Sequence, residues 1–388
     1  MLMLAEAVVA NVLGDDAAAQ HMQQLNYIAA LHHRQHHLAP AQGCMLPPPQ
    51  PPQHVWTPAT PVRCAPAPVT PMPQEHSGSW LAQHGVPTIA ADDMELGPRL
   101  GDGTYAVVHA GWWRGASVAV KILRRSTGSS GAPSGNAARG GGGAQQQEQG
   151  YARAVDAFAR EAALLARLQH PNVLALYGVV APTGPEVPPA AVLELMPHGS
   201  LTQSLRCRRL PPCTRTAACL ALGAARAMQH LHAQSPPVVH FDLKADNLLV
   251  DWRDPGQPVC KLSDLGLACP LTSALATAAT GRGTLWWMAP ELFPGASPQL
   301  QARIGTPLDV FSFGIVLWEI ATSGSEPYAP GTPPEAVIDA VRRGLRPGAP
   351  LGCDPRWVAL MNACWAGDPA CRPTFDTVVR QLVTLLRG

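Results

Sequence analysis

One short run of polar residues has the types and spacing needed to act on a hydroxyl group and a phosphate. Asp242 is followed by Lys244 and Asn247 within the run at 240–247, and a second acidic element, Asp264-Leu-Gly, comes shortly afterwards. A carboxylate can accept the proton of a hydroxyl nucleophile, and a lysine can neutralise a phosphate. Amide and carboxylate oxygens are ligands for hard metal ions. The run therefore predicts phosphate chemistry assisted by a metal ion.

Two kinds of element must position these groups. From Met94 onward, alternating apolar residues at 107–111 and 117–122 predict strands, and helical apolar spacing at 154–169 predicts one helix. After residue 199 the pattern becomes mainly helical. The predicted helices cover 214–232, 308–322, 334–343, 355–365 and 374–386. The sequence thus predicts strands with one helix, followed by a mainly helical half.

Two segments have biased composition. Residues 1–93 form a low-complexity region that contains a histidine cluster and a proline run at 47–52, and we expect it to be largely disordered. The proline run is compatible with a polyproline II helix that docks a partner domain, but an inert linker is the favoured interpretation. Residues 126–149 are rich in Gly, Ser and Gln and are expected to form a floppy inserted loop.

Composition and charge exclude several classes of protein. The 28 basic and 27 acidic side chains nearly balance, so nothing indicates a nucleic-acid partner or an anionic membrane. The ten cysteines include no CxxC pair, which favours reduced thiols. The start of the chain lacks a basic segment, and the apolar run at 310–320 is too short to span a bilayer. We expect a cytoplasmic protein, with nuclear entry left open.

The run at 240–247 resembles the His-Arg-Asp-Leu-Lys-x-x-Asn catalytic loop of protein kinases. Further segments resemble other kinase motifs in the family's order: the glycine-rich loop at 100–108, Val-Ala-Val-Lys at 118–121, Ala-Pro-Glu at 289–291 and the closing Cys-Trp to Phe motif at 364–375. The segments His-Phe-Asp-Leu-Lys at 240–244 and Gly-Thr-Leu-Trp-Trp-Met-Ala-Pro-Glu at 283–291 are similar to those of tyrosine-kinase-like, Raf-like Ser/Thr kinases of plants and algae. The resemblance implies an α+β bilobal kinase fold at 94–388. Its small antiparallel-sheet lobe would span 94–196 and its mainly helical lobe 197–388.

The resemblance also assigns roles to individual residues. Asp242 would act as the base or orienter of the acceptor hydroxyl, Lys244 would neutralise the transferred group, and Asn247 and Asp264 would hold Mg²⁺ or Mn²⁺. The expected ATP-binding residues are Leu100, Gly101, Asp102, Gly103, Thr104, Tyr105, Ala106, Val108, Ala119, Lys121, Glu161, Leu193, Glu194, Met196 and Leu249. Among them, Lys121 and Glu161 would form the family's Lys–Glu pair. Leu193 would guard the back pocket, and backbone groups beside it would bond the adenine edge.

Three more positions are expected to support the fold. The resemblance implies a buried ion pair between Glu291 and Arg372, and it places Asp309 under the backbone of the catalytic loop. Thr284 stands where Ser/Thr kinases carry a threonine near the catalytic aspartate.

Three residues depart from the family pattern. Ala106 replaces the third glycine, Phe241 replaces the arginine that grips an activation-loop phosphate in many kinases, and Leu265 replaces the phenylalanine of Asp-Phe-Gly. None of these changes removes a group that does chemistry. By this resemblance, the motif Asp242-Leu-Lys244 favours ATP-dependent transfer to Ser and Thr hydroxyls of protein substrates. A pseudokinase acting as a nucleotide-binding scaffold, or a dual-specificity or tyrosine kinase, is the alternative.

Overall fold

The structure is a computed structural model. It describes residues 81, 84–103, 106–125, 143–182, 187–207, 215–254, 257–274, 278 and 283–387. The histidine cluster and the proline run of the predicted tail lie outside these residues, as does segment 126–142 of the predicted insertion. Within the described part, a small sheet with one long helix precedes a mainly helical region, as the sequence predicts.

The elements follow one another in the predicted order. The strands are β1 Met94–Asp102, β2 Ala106–Trp113, β3 Ala116–Leu123, β4 Leu176–Val180, β5 Ala190–Glu194, β6 Val238–Val239, β7 Leu248–Asp251, β8 Val259–Leu262 and β9 Cys269–Pro270. The helices are α1 Gly143–Arg167, α2 Leu201–Arg206, α3 Arg215–His232, α4 Pro298–Gln301, α5 Pro307–Ala321, α6 Pro334–Arg342, α7 Pro355–Cys364 and α8 Phe375–Arg387.

The first five strands form one antiparallel sheet in the order β1-β2-β3-β5-β4. Side chains alternate between its two faces, so Val118 and Val120 enter one apolar cluster while Ala119 belongs to the other. Lys121 lies on the same face as Ala119, and its register partners are Val108 on β2 and Ala191 on β5. This placement points Lys121 toward α1 and the helical region.

Helix α1 packs one apolar stripe against the sheet through Phe158, Ala162 and Leu165, which are buried. It begins at Gly143, so residues 143–149 are helical and the prediction of a floppy loop up to 149 was wrong there. The reason is local propensity, since the run Ala-Gln-Gln-Gln-Glu consists of good helix formers.

The segment before β1 runs beside the edge strand β4. Val86 and Ile89 are buried, and the Ile89 N–H donates to the Val179 carbonyl at 3.0 Å. Val179 N–H in turn donates to the Pro87 carbonyl at 2.8 Å. The predicted boundary at Met94 is therefore too late, because single apolar residues in an extended segment give no periodic signal.

Helix α5 is the centre of the helical region, and nearly all of its side chains are buried. Its all-round apolar surface confirms the prediction of a core helix at 308–322, and it packs against α3 and α7. In the part of the chain that the structure describes, no helix is both long enough and apolar enough to cross a membrane.

Candidate active site

Asp242 and Lys244, in the loop between β6 and β7, form a closed set of hydrogen bonds with Thr284, which follows β9 in the chain. One Asp242 carboxylate oxygen accepts from the Thr284 N–H at 2.9 Å and from its hydroxyl at 2.7 Å. The Lys244 ammonium donates to the other Asp242 oxygen at 2.7 Å and to the Thr284 hydroxyl at 2.6 Å. The predicted position of Thr284 beside the aspartate is confirmed. The set places a carboxylate and a fixed cation around one hydroxyl group.

Asn247 is hydrogen-bonded to Asp242 and to Ser263, the residue before Asp264. Its amide nitrogen donates to the Asp242 carbonyl at 2.8 Å, so the amide oxygen is the remaining side-chain ligand for a cation. Its own carbonyl accepts from the N–H of Ser263 at 2.9 Å and from the Ser263 hydroxyl at 3.0 Å. Ser263 directly precedes Asp264, so these bonds bring the two predicted metal ligands to the same part of the molecule.

Asp309 holds the backbone that leads into Asp242. This buried carboxylate accepts from the N–H groups of His240 at 2.9 Å and Phe241 at 3.0 Å, and its contact with His232 Nε2 is 2.9 Å. The predicted anchoring role of Asp309 is confirmed. Its two backbone bonds hold the catalytic loop in place while Phe241 adopts a positive φ of 68°, which is unfavourable for a bulky side chain.

Lys121, Glu161 and Asp264 meet across the cleft between the sheet and the helical region. The Lys121 ammonium donates to the two Glu161 oxygens at 2.7 and 2.9 Å and lies 3.6 Å from an Asp264 oxygen. Burial acts to lower the pKa of Lys121, but the attraction of Glu161 and Asp264 outweighs it and raises that pKa. Burial likewise acts to raise the pKa of Asp264, and Lys121 with other cations lowers it. The site therefore keeps a charged ammonium beside an ionised carboxylate.

The apolar residues predicted to contact a nucleotide base are drawn from both parts of the fold. Ala119, Leu193 and Met196 are buried in the main core cluster, and Val108 and Leu249 pack against it half-buried. Leu193 also lines a small cavity together with Lys121 and Glu161. Leu100, in contrast, is 50% exposed and stands apart from this cluster.

The glycine-rich loop is described only in part, because Thr104 and Tyr105 lie outside the described residues. Gly103 N–H donates to the Ala106 carbonyl at 2.8 Å, and a Cβ at Gly103 would lie 3.2 Å from that oxygen. Gly101 pairs with Val108 across the strands. A side chain at Gly103 would therefore crowd this tight turn, while the buried methyl group of Ala106 is accommodated.

Two of the predicted ATP-binding side chains form ion pairs outside this cluster. Asp102 pairs with Arg99 on the same strand, β1, and with Arg124, which directly follows β3. Glu194 accepts from the Lys261 ammonium at 2.7 Å and from the Ala175 N–H at 3.3 Å. Both carboxylates are thus already engaged by cations within the fold.

Glu319 is a residue whose role the sequence did not reveal. Its side chain lies deep in the core, and one carboxylate oxygen accepts from the Trp287 indole N–H at 2.7 Å and from the Ala245 N–H at 3.3 Å. Burial raises the pKa of Glu319 to about 8, and the nearby Asp246 adds to the shift. The carboxyl group joins the catalytic loop to the segment that carries Thr284. The signal was its position as a charged residue inside an apolar run.

The predicted structural ion pair of the helical region is also present. Two Arg372 nitrogens donate to the two Glu291 oxygens at 2.5 and 2.9 Å, and both side chains are fully buried. The prediction is confirmed, and the pair ties the loop after the activation segment to the segment before α8.

Comparisons with known proteins support the same family of folds. Residues 145–382 match the family described as protein tyrosine and serine/threonine kinase. Serine/threonine-protein kinase CTR1 of Arabidopsis thaliana is 29% identical over 361 residues, which cover 90% of this chain and 39% of that protein. Probable serine/threonine-protein kinase drkD of Dictyostelium discoideum is 33% identical over 293 residues, 75% of this chain and 20% of that protein.

A tyrosine kinase is also similar. Tyrosine-protein kinase csk-1 of Caenorhabditis elegans is 31% identical over 304 residues, which cover 78% of this chain and 49% of that protein. The chain spans less than half the length of each of these three relatives.

Proposed function

Because the chain belongs to the protein tyrosine and serine/threonine kinase family, we propose that it transfers the γ-phosphoryl group of ATP to Ser and Thr hydroxyls of protein substrates. The observation that carries the proposal is the meeting of Lys121, Glu161 and Asp264 in one cleft, with an ammonium-to-carboxylate distance of 2.7 Å. This geometry keeps a positive charge at the place where nucleotide phosphates would bind.

The donor set fits a metal ion delivered together with phosphates. Mg²⁺ binds through one or two protein oxygens and completes its shell with phosphate oxygens and water. The Asp264 carboxylate and the Asn247 amide oxygen would supply the protein ligands. When bound, the ion would neutralise charge on the phosphates.

The residues of the catalytic loop would act on the acceptor. The Asp242 carboxylate would orient the substrate hydroxyl and accept its proton, replacing a bond that the Thr284 hydroxyl now makes at 2.7 Å. The Lys244 ammonium, fixed by Asp242, would stabilise negative charge on the transferred group. Asp309 holds the backbone beneath these groups and so positions them before substrate arrives.

Preference for Ser and Thr over Tyr rests on Lys244 and Thr284. Tyrosine kinases typically lack a lysine at the first position, and Ser/Thr kinases place a threonine at the second. The contact of 2.6 Å between the two side chains supports assigning them one shared role. The similarity to a tyrosine kinase makes dual specificity the alternative.

A pseudokinase is the second candidate, and the departures at Ala106, Phe241 and Leu265 favour it. All three side chains are buried. Phe241 and Leu265 thus fill space in the core, and neither displaces Lys121 or Glu161 from their ion pair. An active enzyme remains the better-supported function.

The test is transfer of radiolabelled phosphate from ATP to a generic basic protein, with Asp264→Asn as the paired variant. We expect the wild type to label serine and threonine, and the variant to lose about 100-fold or more in rate because a charged ligand is lost. Equal labelling by the two proteins would contradict the enzyme assignment and favour the scaffold.

A further inference from the structure

Helix α1 is attached to the sheet unevenly along its length. Among the described side chains of α1 before Phe158, none is buried, whereas Phe158, Ala162 and Leu165 are. Glu161, which reaches Lys121, lies within the well-packed part. The helix is therefore packed more deeply around Glu161 than over residues 150–157.

A second contact links β3 and α1 at Tyr151, in the less deeply packed part of the described helix. The Arg125 guanidinium carbon lies 5.6 Å from the centroid of the Tyr151 ring, within the range of a cation–π interaction. Arg125 follows β3, the strand of Lys121, and Tyr151 precedes Glu161 on α1. Half-buried Tyr151 also packs against the main core cluster.

Two points of attachment fix a helix where one does not. The stretch from 151 to 161 spans about 15 Å at a rise of 1.5 Å per residue. Without a contact at Tyr151, residues 151–157 could tilt about the buried side chains around Glu161 and move its carboxylate relative to Lys121. The contact between Arg125 and Tyr151 opposes this movement, and its distance from Glu161 makes it effective against tilting.

We propose that Arg125 and Tyr151 are positioning residues that hold α1 in the orientation in which Glu161 reaches Lys121. Neither residue touches the reacting atoms. They act through the Lys121–Glu161 pair, so their effect on phosphate transfer rests on the proposed function, while their effect on helix order does not.

The experiment is hydrogen exchange measured by mass spectrometry on the full chain, together with the transfer assay. Two variants remove the contact in different ways: Arg125→Gln removes the cation, and Tyr151→Leu removes the ring while keeping an apolar side chain. Tyr151→Phe keeps the ring face and should restore the contact. Arg153→Gln is the charge-matched control, since Arg153 is an exposed arginine on the same helix.

The contact-removing variants should exchange the amides of 151–157 about fivefold faster than the wild type, and their double variant should exchange no faster than the single variants. A fivefold change corresponds to about 1 kcal/mol, the size of a partly exposed cation–π contact. Exchange in β3 should not change, which separates loss of positioning from general destabilisation. The turnover number for transfer should fall by up to the same factor, and Tyr151→Phe and Arg153→Gln should match the wild type.

Unchanged exchange at 151–157 in Arg125→Gln overturns the inference, and exposed Arg125 makes that variant tolerable to the fold. Faster exchange in Arg153→Gln of the same size overturns it as well, because the effect would then follow charge alone. If no protein in the set transfers phosphate, the proposed function fails and exchange still decides whether the contact orders the helix.

Discussion

Two ion pairs, one in each part of the molecule, differ in what surrounds them. Arg372 and Glu291 in the helical region are fully buried, and the guanidinium also donates to the carbonyls of Ala366 and Pro307 at 2.9 Å each. Lys121 and Glu161 near the sheet keep 22% and 11% of their side-chain surface exposed, and the ammonium is shared with Asp264.

The difference in exposure indicates a structural role for the Arg372–Glu291 pair and a role in binding a ligand for the Lys121–Glu161 pair. A fully buried and fully bonded pair has no atom left for a ligand, and removing one partner strands a charge in the core. A pair that opens onto a cleft keeps its cation accessible to a phosphate. Sequence motifs identify both pairs, but only their surroundings show which one can act on a substrate.

The largest expected effect is on the buried pair. Glu291→Ala should lower the free energy of unfolding by about 3–5 kcal/mol, because Arg372 loses its counter-charge inside the core. Urea denaturation followed by circular dichroism measures the change. Glu326→Ala is the control, since its contact with Arg206 is half-exposed at 3.5 Å and should contribute at most about 1 kcal/mol. Similar losses of unfolding free energy in Glu291→Ala and Glu326→Ala would show that burial does not make the Arg372–Glu291 pair more important for stability than an exposed pair.

The Lys121–Glu161 pair should matter more for phosphate transfer than for the free energy of unfolding. Glu161→Gln should reduce phosphate transfer about 100-fold, since Lys121 loses the charge that fixes its ammonium. The free energy of unfolding should change by only about 1 kcal/mol, because the amide still accepts a hydrogen bond and Asp264 remains nearby. A stability loss as large as that of Glu291→Ala, with transfer intact, would assign this pair to the scaffold instead.

A third prediction concerns Glu319 and appears only as a pH dependence. Its pKa is raised in the fold from an ordinary value of 4.5 to about 8, so the folded protein holds a proton that the unfolded chain releases in this range. The stability from this proton is complete below about pH 4.5 and is lost as the pH rises through about 8. The slope from this one group is at most about 1.4 kcal/mol per pH unit.

Glu319→Gln should remove that slope, because the amide cannot ionise. Unfolding free energies of the wild type and the variant, measured from pH 5 to pH 8, should diverge in favour of the variant as the pH rises. Parallel curves would show that Glu319 does not titrate in this window.

The sequence predicted well those features that depend on local pattern or on a chain of motifs. Periodicity located α5 to within a residue at each end, and motif order placed Lys121, Glu161 and Asp264 before any contact was known. The Gly-, Ser- and Gln-rich composition predicts a loop up to residue 149, whereas α1 begins at Gly143. Helix propensity decided the outcome there.

Contacts between distant segments were the harder part. Ile89 packs on the sheet and Glu194 pairs with Lys261, and neither contact follows from spacing along the chain. Glu319 stood out as a charge in an apolar run, but its donors on Trp287 and Ala245 belong to other segments. Such partners are set by tertiary packing, which a single sequence does not display.

The most direct measurement is phosphate transfer by Lys121→Met, Asp242→Asn and the double variant, because Lys121 lies on the sheet and Asp242 in the helical region. Residues that act as one catalytic unit lose most of the rate singly and little more together. We expect each single variant to fall about 100-fold or more, with the double variant no slower than the worse single variant. Wild-type rates in either single variant, or a double loss equal to the product of the two, would contradict a shared site.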